Sequence, residues 1–90
     1  MIAAIFEAQL TEEQAHRLVE LMRETRASRP EGVLNVSLLY ERGEAQIVAI
    51  WRDRDELERY LASTTPRAKE LMRRVGADPT VRLVPVLEHE

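Results

Sequence analysis

Over residues 1–8 Ile2, Ala4 and Phe6 fall on one side of an extended chain, Ala3 and Ile5 on the other, the two-residue period of a β-strand. Thr11-Glu12-Glu13-Gln14 follows, the spacing of a capping box in which the Thr hydroxyl and the Gln side chain satisfy helix-start donors. Ala15, Leu18, Val19, Met22 and Thr25 then recur at helical spacing, opposite Glu13, Arg17, Glu20 and Glu24. Ser28-Arg29-Pro30-Glu31-Gly32 ends that helix, because Pro30 lacks a donor and restricts the residue before it. Residues 33–40 and 45–52 read as two strands joined through Glu41-Arg42-Gly43-Glu44, with Gly43 free to take the positive φ of a tight hairpin. Pairing symmetric about Arg42-Gly43 sets Tyr40 opposite Ala45, Leu38 opposite Ile47, Val36 opposite Ala49 and Leu34 opposite Trp51. The other face then carries Val33, Asn35, Ser37 and Leu39 against Gln46, Val48, Ile50 and Arg52.

Asp53-x-x-Glu56 reads as a second capping box, opening a helix through Leu57, Tyr60 and Leu61. Thr65-Pro66 restarts it, with Thr65 as cap and Pro66 at the first helical position, and Ala68, Leu71, Met72 and Val75 continue the stripe. Gly76 supplies a left-handed stop, and residues 80–87 form a last strand after Asp78-Pro79. The order is β-α-β-β-α-β, the α+β ferredoxin-like split βαβ, with one four-stranded antiparallel sheet over a single domain spanning residues 1–90. Helices on one side of such a sheet leave the other side showing Val, Leu and Ile, and a second copy packed face to face is the simplest cover. The expected assembly is a homodimer.

Composition narrows the chemistry. The 90 residues are 44% apolar and 32% charged, ordinary for a folded domain. The absence of cysteine excludes disulfides, thiol nucleophiles and Cys-based metal sites. A net charge of −3 argues against a nucleic-acid partner. The apolar start meets Glu7 and Gln9 without a basic segment before it, and no run of apolar residues is long enough to span a membrane. The expectation is a cytoplasmic protein with no membrane partner.

Residues 47–61, with the strand-end Trp51, the charged link Arg52-Asp53-Arg54-Asp55-Glu56 and the Leu-rich helix beyond, resemble dimeric α+β-barrel proteins. They are most similar to the antibiotic biosynthesis monooxygenase-like group, as are the Thr64-Thr65-Pro66 step and the Pro30-Glu31-Gly32 break. In element order the resemblance covers nearly the whole chain. It implies a homodimer with an apolar pocket between sheet and helices in each protomer. It also implies oxidation of a phenol or quinol by O₂ with no cofactor, the protein helping to deprotonate the substrate and holding its anion. The alternative is a non-catalytic homodimer that binds a small apolar or aromatic ligand.

On this resemblance Trp51 and Arg67 are the candidate catalytic positions, and Asn35, Tyr40, Trp51 and Tyr60 the candidate ligand contacts. Trp51 would line the pocket and donate its indole N–H. Arg67 stands where members of the group often carry His, and a guanidinium does not shuttle protons near neutrality. Asn35 and Ser37, with Arg52 nearby, would line a polar spot inside the barrel. The haem-degrading branch of the superfamily uses an Asn on the first strand and a His on the late helix. Residues 1–8 hold no Asn. The histidines are His16, among charged residues of the first helix, and His89, in a Glu88-His89-Glu90 tail. No haem, flavin or metal is expected. Arg23, Arg26 and Arg29 read as a basic helix end that suits the macrodipole.

Overall fold

The computed structural model describes residues 1–26 and 29–88; Ser28 of the predicted helix break and His89 of the tail lie outside them. The elements run β1 (Ile2–Gln9), α1 (Glu12–Glu24), β2 (Val33–Glu41), β3 (Glu44–Trp51), α2 (Arg54–Ser63), α3 (Arg67–Arg74) and β4 (Thr80–Pro85). The strands form one antiparallel sheet in the order β2-β3-β1-β4, the ferredoxin-like α+β arrangement. β4 runs to Pro85, and beyond it Val86 N–H still donates to Met1 O at 3.1 Å.

Local signals set most boundaries. Thr11 caps α1 through a complete box: Gln14 N–H donates to Thr11 Oγ1 at 3.1 Å and Thr11 N–H to Gln14 Oε1 at 2.8 Å. The buried stripe of α1 is Ala15, Leu18 and Leu21, so Leu21 takes the place expected of Val19 and Met22, which are half-buried. α3 ends as a Schellman turn on Gly76 (φ +91°), with Ala77 N–H donating to Met72 O at 2.9 Å and Gly76 N–H to Arg73 O at 3.0 Å. In the hairpin both Arg42 (φ +51°) and Gly43 (φ +83°) are left-handed, the primed turn that matches strand twist.

Three expectations change. The hairpin register holds from Tyr40 to Asn35, but a bulge then makes Val33, not Leu34, the partner of Trp51. Arg52 N–H donates to Gly32 O at 2.9 Å, which pins position 32 beside the strand end. The chain absorbs its extra residue at Leu34, left 45% exposed. At α2, Asp53 Oδ1 accepts from Asp55 and Glu56 N–H at 2.7 and 3.2 Å. The return half of the box is missing because the Glu56 carboxylate binds Arg52 instead, at 2.7 and 2.9 Å. That bond holds the Arg52 guanidinium above its usual pKa; among the described residues Arg52 makes no hydrogen bond to Asn35 or Ser37. α3 begins at Arg67 with Pro66 as N-cap and no side-chain cap from Thr65.

The core lies between one sheet face and the helices. Ile2, Ala4, Phe6, Ala45, Ile47, Ala49 and Trp51 meet Leu18, Leu21, Leu57, Leu71 and Met72. On the opposite face Ile5, Val48 and Ile50 are half-buried beside Leu39 and Val84, 51% and 36% exposed. There Arg82 Nε donates to Glu7 Oε1 at 2.7 Å, and Arg82 and then Gln46 hold the Glu7 carboxyl below its usual range.

Gly32 (φ +93°) sits where a Cβ would come within 2.8 Å of Glu56 Oε2 and 3.3 Å of Trp51 Cε3. Gly32→Ala therefore combines left-handed strain with a steric clash. It is expected to lower stability by about 1–3 kcal/mol in a urea titration, with the slope unchanged.

Candidate functional site

Trp51 ends β3 and is 3% exposed. Its side chain forms no hydrogen bond among the described residues. Tyr60, nearly two turns into α2, packs its ring 5.2 Å from the indole, tilted by 37°. The Tyr60 hydroxyl accepts the Arg67 backbone N–H at 2.7 Å, so one of the helix-start donors of α3 is satisfied by a side chain from α2 rather than by a local cap. That contact brings the first residue of α3 to the aromatic pair.

Between them lies a cavity of about 40 Å³, lined chiefly by Phe6, Val33, Ile47, Trp51, Tyr60 and Arg67. Nearly every wall is apolar. The exception is Arg67, whose Nη1 is buried and has no hydrogen-bond partner among the described residues. Leaving such a group unpaired costs about 1–3 kcal/mol or more, so the site calls for an acceptor from outside the chain. Water fits a cavity of this size; an oxyanion would satisfy a guanidinium more strongly. No Asp, Glu or His lines the cavity, so it contains no side chain suited to accept a proton near neutrality. Among the described residues no group of three or more His, Asp or Glu converges to hold a metal ion.

The structure thus joins Trp51, Tyr60 and Arg67 and separates Asn35 and Tyr40 from them. Asn35 lies on the opposite sheet face, exposed, opposite Ile50. The Tyr40 hydroxyl donates to Leu10 O at 2.9 Å, fastening the hairpin to the β1–α1 connection. His16 is exposed on α1. Sequence reasoning missed Pro30, Val33 and Met22 as walls of the cavity; Val33 was hidden by the bulge, which the alternating pattern does not announce.

By sequence, no family profile and no curated protein matches the chain. By structure, it has the fold of antibiotic biosynthesis monooxygenase-like proteins. SnoaB, a cofactor-independent oxygenase from Streptomyces nogalater, superposes with a TM-score of 0.65 at 18% identity, over 98% of this chain and 94% of that one. A Deinococcus radiodurans protein, provisionally assigned as an antibiotic biosynthesis monooxygenase, gives 0.65 at 18% identity over 100% and 96%. A point mutant of MhuD, with two manganese protoporphyrin IX molecules bound per active site, gives 0.73 at 11% identity over 100% and 98%. At these identities the superpositions show the fold alone. No helix of the described chain is long and apolar enough to cross a membrane.

Trp51→Phe removes part of a ring packed among Gly32, Tyr60 and the sheet, and a stability loss of about 1–3 kcal/mol is expected. Tyr60→Phe keeps the stacking but strands the Arg67 N–H, for about 1 kcal/mol. Thermal melts of both variants test this; an unchanged Tyr60→Phe would show that the cross-helix cap contributes nothing.

Proposed function

We propose that the protein is a cofactor-independent oxygenase of a phenol or quinol, with Trp51, Tyr60 and Arg67 holding the substrate. The buried, unpartnered Arg67 Nη1 in an otherwise apolar cavity carries this reading. A phenolate oxygen accepts from the guanidinium, and the ring packs against Trp51 and Tyr60. The indole N–H and the Tyr60 O–H are free to donate to oxygens of the ligand. Stabilising the anion in a dry site makes it the reductant of O₂. One electron passes from phenolate to O₂, and the radical pair recombines, forming a carbon–oxygen bond at a ring carbon ortho or para to the phenolate oxygen that carries hydrogen. Loss of that carbon's proton with cleavage of the O–O bond expels hydroxide and leaves the quinone. One oxygen atom ends on the ring and the other in water. The substrate supplies all four electrons, so no reductant is required. Entry of the ring needs the cavity to widen toward an adjoining cleft of about 230 Å³, which shares Met22, Val36 and Arg67 with it.

With no base on the cavity wall, the phenol's proton leaves to solvent and the substrate reacts as its anion. The rate should rise with pH through the substrate's own pKa, and that limb should move when phenols of different acidity are compared. Oxygen uptake with a panel of polycyclic phenols and quinols, insensitive to chelators, is expected to drop about 10²–10³-fold in Arg67→Gln. A pH limb that stays fixed across substrates would overturn the mechanism. Saturable binding without oxygen uptake would leave the alternative, a non-catalytic ligand-binding domain, which the small resting size of the cavity favours.

The homodimer belongs to the same proposal. Ile5, Leu39, Val48, Ile50 and Val84 form an apolar sheet face that no helix covers, and a second copy across a two-fold axis would bury it. Sedimentation at micromolar concentration should then give twice the 10.4 kDa chain mass. Val48→Asp should shift the protein to monomer, since it buries a carboxylate in a face whose neighbouring cation, Arg82, is already held by Glu7. A wild-type monomer would refute the assembly.

A further inference from the structure

The cleft that adjoins the cavity is lined by Met22, Arg26, Arg29, Val36 and Arg67, with no carboxylate among them. Five arginines of the chain, Arg17, Arg52, Arg54, Arg73 and Arg82, each bridge an Asp or Glu within 3.5 Å; Arg23, Arg42, Arg59 and Arg74 bridge none among the described residues and do not line this cleft. Arg26, Arg29 and Arg67 form no ion pair among the described residues. Helix electrostatics account for Arg26, which directly follows the C-cap of α1, but not for the group. The cation in the last turn of α1 is Arg23, Arg29 lies beyond that helix, and Arg67 opens α3, the end where a positive charge is disfavoured. In a chain of net charge −3, three unpaired guanidiniums drawn from two distant segments therefore converge on the mouth of an apolar cavity.

We infer that this cleft binds a carboxylate carried by the ligand of the cavity, so that the substrate class is a hydroxylated aromatic acid rather than a neutral phenol. The inference rests on the reading of the cavity as a ligand site and extends it to the ligand's second end. The ring enters between Met22 and Trp51 and its hydroxyl meets Arg67. The carboxylate stays outside, where the planar forks of Arg26 and Arg29 offer bidentate hydrogen bonds. Placed at a half-open mouth, the cations also raise the encounter rate for anions and make binding salt-sensitive.

The test compares 6-hydroxy-2-naphthoic acid with its methyl ester, which keeps the ring and the phenol but removes the charge. Calorimetric titration of the full chain should show the acid binding at least about tenfold more tightly, a preference that shrinks as salt is raised. In Arg26→Gln/Arg29→Gln the preference should disappear while the affinity for the ester stays unchanged. Both side chains are exposed and unpaired among the described residues, so the double variant should melt as the wild type does. Equal affinity for acid and ester, a preference that survives in the double variant, or no binding of either compound would each overturn the inference. A preference for the acid without oxygen uptake would support the cleft and remove only the oxygenase reading.

Discussion

The indole of Trp51 must be packed at the end of a strand that has no further strand residue to cover it, and the surrounding architecture follows from how that is done. Gly32 lies so close that a Cβ there would come within 3.3 Å of the indole. Its carbonyl is held by the Arg52 N–H, and the bulge that follows turns Val33 inward in place of Leu34. From the helical side Tyr60 closes over the ring. Because the Tyr60 hydroxyl also accepts the Arg67 N–H, packing the indole decides where α3 starts. Where α3 starts decides which guanidinium enters the cavity.

This arrangement links stability to the site. A buried polar group ordinarily finds its partner within the chain, and the exposed arginines of this protein show how readily carboxylates are recruited for that purpose. Arg67 Nη1 is the exception among the described residues, and it occurs where three apolar elements meet an aromatic pair. The desolvation cost of that nitrogen is met when an acceptor from outside the chain, water included, enters the cavity. A carboxylate-rich lining would have satisfied the guanidinium permanently and removed the incentive.

The fold's likeness to SnoaB and to MhuD together shows how little the backbone restricts the chemistry. One of these proteins is an oxygenase without a cofactor and the other holds porphyrin in its active site. What differs among such proteins is which side chains line the space between sheet and helices. In this chain the lining lacks histidine and carboxylate and keeps one cation, which suits holding an anion and does not suit ligating a metal or relaying a proton.

Element order, the starts of α1 and α2, the Schellman stop at Gly76 and the tight hairpin at Gly43 were all legible from residue spacing, because each depends on bonds between residues a few positions apart. The prominence of Trp51 was legible too, through its place at a strand end before a charged link. The bulge at Leu34 was not, since it arises from Gly32 being pulled against Trp51 and Glu56, residues distant in the chain. The exclusion of Tyr40 and Asn35 from the cavity was likewise decided by tertiary contacts, one hydroxyl being taken by Leu10 and the amide lying on the far sheet face. In the sequence Arg26 and Arg29 read as a helix end suited to its dipole, and Arg67 as a replacement for histidine. Only folding, which carries the start of α3 to the end of α1, turns those separate cations into one surface. Local hydrogen bonding and periodicity determine elements; the charges that meet across them depend on how the elements pack.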